Sequence, residues 1–152
     1  MIPFSPPYIN DEVINNVIDS LKSGWITTGP KVKALQEEIA LLASVENVLC
    51  INSATSGLML VLHWFGVGPG DEVIIPAYTY AATALSILHL GAKPVMVDVN
   101  DDFCIDYNNL KSAVTEKTKV IIPVDLGGLP CDYDEIYKVI NLPEIKNVFH
   151  PE

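Results

Sequence analysis

From Val45 onward the chain alternates short, continuously apolar runs with helical segments, and that grammar leaves few folds open. The runs Val73-Ile74-Ile75, Val95-Met96-Val97 and Val120-Ile121-Ile122 present no polar residue to either face. Strands of that kind belong to a largely parallel sheet covered by helices on both sides. The expected order is strand Val45 to Ile51, helix Ser56 to Phe65, turn Gly66 to Asp71, strand Glu72 to Ile75, helix Thr79 to Leu90 and strand Pro94 to Val99. A short helix from Tyr107 to Val114, a strand from Lys119 to Val124 and a helix from Tyr133 to Ile140 follow. The class is therefore α/β, a three-layer α/β/α arrangement around a mostly parallel sheet.

Residues 1–30 read differently. Pro3, Pro6 and Pro7 make the start an extended arm, since proline cannot sustain a helix interior. Asn10-Asp11-Glu12 offers a helix cap and an acidic first turn, and Val13, Val17, Ile18 and Leu21 follow at helical spacing up to Gly24. Trp25 to Pro30 is an irregular connector, and a second amphipathic helix covers Lys31 to Ala43. The end, Val148-Phe149-His150-Pro151-Glu152, supplies neither a helix cap nor a finished strand. It reads as a chain cut in mid-loop, the N-terminal portion of something longer.

Composition narrows the function. Nine basic against 19 acidic residues give a net charge of −10, which disfavours phosphate-neutralising nucleic-acid binding and a polybasic membrane anchor. The charged fraction of 18% falls below the ~25% usual for a soluble domain. Extra surface is thus expected to be buried against more chain or a second copy. Cys50, Cys104 and Cys131 show neither disulfide nor zinc spacing, which fits a reducing cytoplasm. Met1 to Pro7 has neither the basic head nor the apolar core expected of a signal peptide, and Val73 to Val97 is too interrupted by Pro76, Lys93 and Pro94 to span a membrane.

Three segments follow apolar strands, where open α/β sheets collect ligands. In Asn52-Ser53-Ala54-Thr55-Ser56-Gly57 a helix N-terminus with small hydroxylated residues suits a phosphate, although Ser53 or Thr55 could equally be a simple cap. Tyr78-Thr79-Tyr80 could lay an aromatic ring against a planar ligand or fill the rim of the core. Asp125 in Asp125-Leu126-Gly127-Gly128 is either a functional carboxylate or a loop residue bonding nearby N–H groups. His63 and His89 read as helix-end or packed histidines, His150 as terminal, and Asp98 to Asp102 as a solvated turn. No metal site and no P-loop or dinucleotide glycine signature is present.

Taken in order, Ser23-Gly24-Trp25-Ile26-Thr27-Thr28-Gly29-Pro30, Asn52 to Gly57, Gly68-Pro69-Gly70-Asp71-Glu72-Val73-Ile74-Ile75-Pro76, Thr79-Tyr80-Ala81-Ala82-Thr83, Gly91 to Asp98 and Ile121 to Val124 resemble the DegT-type sugar aminotransferases. The resemblance spans Pro3 to Ile140. It implies the aspartate-aminotransferase fold, with pyridoxal 5′-phosphate (PLP) at the edge of a mixed seven-stranded sheet. Residues 1–30 would be arm, helix and connector, and 31–152 the first part of the large PLP-binding domain, without the small C-terminal domain. Ser53, Ala54, Thr55 and Ser56 would hold the coenzyme phosphate, and Tyr80 would stack on its ring. Trp25 and Thr28 would border the substrate, a nucleotide-linked keto-sugar aminated at the expense of glutamate in polysaccharide or deoxyaminosugar synthesis. A cytoplasmic homodimer is implied.

Asp125 and Gly127 depart from the histidine and tyrosine common at those places. The family's coenzyme-binding lysine and its pyridine-pairing aspartate fall later than residue 152, and none of Lys22, Lys31, Lys33, Lys93, Lys111, Lys117, Lys119, Lys138 or Lys146 stands in the lysine's context. No catalytic residue is therefore expected here, and the 152 residues alone are expected to be inactive. A PLP-dependent sugar dehydratase of the same family and a non-catalytic binding or assembly module remain the alternatives.

Overall fold

A computed structural model describes residues 5–149; residues 1–4 of the arm, Pro3 among them, and residues 150–152 at the expected cut end, with His150, lie outside them. The chain divides into two compact units, residues 1–50 and 51–152, so the second helix groups with the arm and connector, and the division falls twenty residues beyond Pro30.

In the smaller unit, α1 (Asp11–Ser23) and α2 (Pro30–Ala43) form as their signals require. Asn10 Oδ1 accepts from the Val13 amide at 3.0 Å and closes the start of α1. Gly24, at φ +70°, ends it in the left-handed conformation that a side chain resists. Pro30 opens α2 at its first position, where a missing N–H is harmless. Neither helix buries a residue. Val13, Val17 and Leu21 on α1 and Leu35, Ile39 and Leu42 on α2 stay exposed.

The larger unit holds α3 (Ala54–Trp64), β1 (Glu72–Pro76), α4 (Ala81–His89), β2 (Lys93–Val97), α5 (Tyr107–Ala113), β3 (Thr118–Ile121), α6 (Tyr133–Ile140) and α7 (Pro143–Lys146). Among the described residues the sheet has three parallel strands in the order β2-β1-β3. Every residue of β1 is buried. Its alternation serves two cores: Ile74 packs with Val97, Cys104, Ile105, Leu110 and Ile136 on the α5/α6 side. Val73 and Ile75 pack with Leu62, Val67, Ile87 and Ala92 on the α3/α4 side. Burying each of the valine, leucine and isoleucine side chains contributes roughly 1.5–3 kcal/mol. The three-layer α/β/α arrangement follows from this period of two.

The expected strand Val45 to Ile51 does not form: these residues are extended or bent and have no ladder partner among the described residues. An apolar run becomes a strand only when a neighbour takes its backbone groups, and the two neighbours of β1 are already β2 and β3. β3 stops at Ile121, short of Val124, and Pro123 falls where the missing amide would face the open edge of the sheet rather than β1. Ile122 still donates to the Ile74 carbonyl at 2.9 Å. The short helix α7 and the tight turn Leu126–Gly128 were not expected.

At the opposite end of the sheet from the candidate segments, Glu72 accepts from Lys93 Nζ at 2.8 Å and from Thr115 Oγ1 at 2.7 Å. Its side chain is only 11% exposed. The Lys93 hydrogen bond, then that of Thr115, holds the carboxyl below its ordinary value of 4.5. A depressed carboxylate stabilises the fold in full above that value and loses the contribution as pH falls through the lowered one. Glu72→Gln is expected to destabilise the chain by about 1–2 kcal/mol at pH 7 in urea unfolding, with the gap to wild type narrowing below pH 4.5. The exposed faces of α1 and α2 predict self-association of the 152-residue chain; a monodisperse monomer in light scattering would contradict it.

Candidate functional site

The direction of the helices decides what meets at the sheet's carboxyl edge. α4 lies between two parallel strands and must run back against them, so its first residue emerges where β1 ends. Leu62, two residues from the end of α3, and Ile87, two from the end of α4, share one core with Val73 and Ala92 at the strand starts. The helix ends are held close: a Cβ on Gly91, at φ +76°, would lie 3.0 Å from Pro69 Cγ. α3 and α4 therefore run the same way, and both N-termini open toward the carboxyl ends of the strands.

Ser53 caps α3. Its hydroxyl accepts from the Ser56 amide at 3.1 Å and donates to Ser56 Oγ at 2.9 Å. The Gly57 amide bonds the Ser53 carbonyl at 3.1 Å. The amides of Ala54 and Thr55 precede the helical ladder and bond nothing among the described residues. The Thr55 hydroxyl likewise has no partner there. Ser53 is thus the cap and Thr55 is not, which separates two roles that the sequence left open. Ahead of the helix, Ile51 lies against Gly57, where a Cβ would come within 2.3 Å of Ile51 Cδ1. Two free amides at the positive end of a helix dipole form an anion-binding arrangement.

Tyr80 stands at the N-cap of α4, 83% exposed, so it is neither core nor packed rim. Tyr78 instead sets its ring against Phe103, with centroids 5.3 Å apart. Phe103 was not anticipated, because no spacing in the sequence links it to β1.

In the smaller unit, Trp25 Nε1 donates to the Thr28 carbonyl at 2.8 Å. The indole lies so close over Gly29 that a Cβ there would come within 2.2 Å of it. The structure therefore brings Trp25 and Thr28 together, and the indole donor is already used; the exposed ring face and the Thr28 hydroxyl are what remain to meet a ligand.

Asp125 is a staple within its own loop. It accepts from the Cys131 amide at 3.0 Å and from the Tyr133 hydroxyl at 3.0 and 3.2 Å. The Cys131 amide above all holds its carboxyl below the ordinary range, while burial and then Asp125 push the Tyr133 phenol up. His63 and His89 sit exposed in the last turns of α3 and α4. Asp98 to Asp102 belongs to a reversal closed on itself, Asn100 amide to Cys104 carbonyl at 2.8 Å. All three thiols are free, and burial raises that of Cys104 to about 11. Among the described residues there is no cluster able to hold a metal and no helix long and apolar enough to cross a membrane. An apolar groove of about 400 Å³ runs beside β3, lined by Val120, Ile136 and Tyr137 among others; it includes neither Ser53–Ser56 nor Tyr80.

Ser53→Ala is expected to lower stability by about 1 kcal/mol in urea unfolding, and Thr55→Ala by less than about 0.5 kcal/mol. Equal losses would remove the distinction between cap and free donor.

The sequence matches the DegT/DnrJ/EryC1/StrS aminotransferase family over residues 7–146. It is 42% identical over 139 residues to the spore coat polysaccharide biosynthesis protein SpsC of Bacillus subtilis, covering 91% of this chain and 36% of that protein. It is also 42% identical over 153 residues to the UDP-4-amino-4-deoxy-L-arabinose–oxoglutarate aminotransferase of Shewanella sediminis, covering 98% of this chain and 39% of that one. Among solved structures, Spr1654 of Streptococcus pneumoniae, assigned as a sugar aminotransferase and solved in PLP, PMP and apo forms, superposes with a TM-score of 0.92. It shares 51% identity over 99% of this chain and 38% of its own. The chain thus spans little more than a third of the length of the relatives that it matches.

Proposed function

The chain belongs to the DegT/DnrJ/EryC1/StrS aminotransferase family, and on that premise we propose that it builds the phosphate seat and one ring face of a PLP site in a sugar aminotransferase. The observation that carries the reading is the pair of free amides at Ala54 and Thr55, opening on the same sheet edge as Tyr80. Relatives solved in PLP and PMP forms support the choice of coenzyme.

The residues fit the group. The amides of Ala54 and Thr55 take the phosphate oxygens, and the Thr55 and Ser56 hydroxyls add donors, because Ser56 Oγ already accepts from Ser53 and keeps its own proton to give. The helix dipole favours the negative charge without a lysine or arginine. Tyr80, almost wholly exposed, offers a flat face to a flat ring and keeps water from that side. When bound, PLP supplies an electron sink through which an amino group passes from a donor to a carbonyl acceptor. The donor is read as glutamate and the acceptor as a nucleotide-linked keto-sugar, supported by the name of the Shewanella relative. Trp25 and Thr28 are assigned to the sugar side.

Residues 31–152 are read as the first part of the large domain, preceded by the arm, helix and connector of 1–30. The remaining chemistry requires a lysine and an acid that these residues do not match. The 152-residue chain is therefore proposed to be inactive and the complete protein active. The unburied apolar face of α1 favours a homodimer, and three free thiols fit a reducing cytoplasm.

Thr55→Ala in the full-length protein is expected to weaken PLP binding about tenfold, the loss of roughly 1.4 kcal/mol, measured by coenzyme absorbance. The 152-residue chain should release no oxoglutarate from glutamate in the presence of PLP and a keto-sugar nucleotide. A full-length protein with no affinity for PLP would refute the reading.

A further inference from the structure

We infer that Thr83 and Phe103 are positioning residues for Tyr80, propping from two sides the turn between β1 and α4 that carries its ring. The inference rests on the coenzyme reading above.

The turn is fixed residue by residue. The Ala77 amide donates to the Val97 carbonyl at 2.7 Å, tying the exit of β1 to the end of β2. Tyr78 leans on Phe103 with an interplanar angle of 39°. The Thr79 and Thr83 hydroxyls lie 3.0 Å apart, one helical turn from each other. The Thr83 amide donates to the Tyr80 carbonyl at 3.0 Å. Of the three side chains of Tyr78, Thr79 and Tyr80, the first two are held and the third projects into solvent.

Both props are more specific than packing demands. Thr83 is 7% exposed in a mostly apolar helix, a place where valine would fill the same volume. Its hydroxyl is matched only by that of Thr79. Phe103 adopts φ +63°, a left-handed backbone that a bulky side chain resists and that glycine would adopt freely. The reversal that contains it is closed by backbone bonds, Phe103 amide to Asn100 carbonyl at 2.9 Å, so the turn itself does not call for an aromatic. What the aromatic adds is the contact with Tyr78. Strain retained beside a ligand edge is characteristic of a functional constraint. An aromatic on a loose turn would surrender conformational freedom on stacking, whereas a propped one meets its ligand already ordered.

Ser86 provides an internal control. It is fully buried in the same helix, but its hydroxyl donates to the Ala82 carbonyl at 2.7 Å, inside the helix, rather than to a group of the turn. The test titrates full-length wild type, Thr83→Val, Thr83→Ser, Phe103→Gly and Ser86→Ala with PLP, with inorganic phosphate as competitor, and records each melting temperature. Thr83→Val and Phe103→Gly should weaken PLP about tenfold while phosphate competes as in wild type, because the anion seat is on α3 and is already made. Thr83→Ser should recover to within about twofold, and Ser86→Ala should bind PLP normally whatever it does to melting. Phe103→Gly, by relieving the left-handed residue, should weaken binding without lowering the melting temperature. Wild-type PLP affinity in Thr83→Val, or an equal loss in Ser86→Ala, would overturn the inference while leaving the coenzyme reading intact. Absence of PLP binding by wild type would overturn both.

Discussion

β1 has no surface, and most of the larger unit follows from that. A five-residue strand buried on both faces and flanked on both edges cannot satisfy its side chains with one layer of helices. Ile74 needs one layer, Val73 and Ile75 the other. Because both neighbours are parallel to it, the chain must return between strands, and the returning elements are helices. Their N-termini consequently accumulate at the carboxyl edge of the sheet. The free amides of α3 and the ring of Tyr80 share an edge for the same reason that Val73 and Ile74 face opposite ways.

That edge divides labour among neighbouring polar residues. Ser53 uses its hydroxyl on the helix itself, which leaves Thr55, two residues on, with nothing to cap. Asp125 is likewise consumed by its loop; in the separate smaller unit, the Trp25 donor is consumed by the connector. A residue type that can bind a ligand often stabilises a turn instead, and hydrogen-bond inventory separates the cases. At the other end of the strands, Glu72 joins β2 and the turn before β3 through two short bonds. Stability is thus anchored away from the edge where binding groups stay free.

Much of the fold was legible because its signals are local. The Asn10 cap, the Gly24 stop, Pro30 at the head of α2, and the three apolar runs each act through the backbone of a few residues. The failures share a cause. Val45 to Ile51 has strand composition but lacks a partner among the described residues, and pairing is decided by a distant neighbour rather than by the run itself. β3 ends at Ile121 although the apolar run continues to Val124, since the extent of a ladder is set by the strand beside it and not by composition. Phe103 was missed because its contact with Tyr78 joins residues 25 positions apart.

The sequence by itself determined the α/β class and the family, since these depend on residue type, period and order. Only the tertiary structure decided which hydroxyl is a cap and which is free, that Asp125 is spent on its own loop, and that Tyr80 projects from a turn held on both sides. Those outcomes turn on which donor reaches which acceptor within about 3 Å, a condition on three-dimensional position that composition and spacing along the chain do not specify.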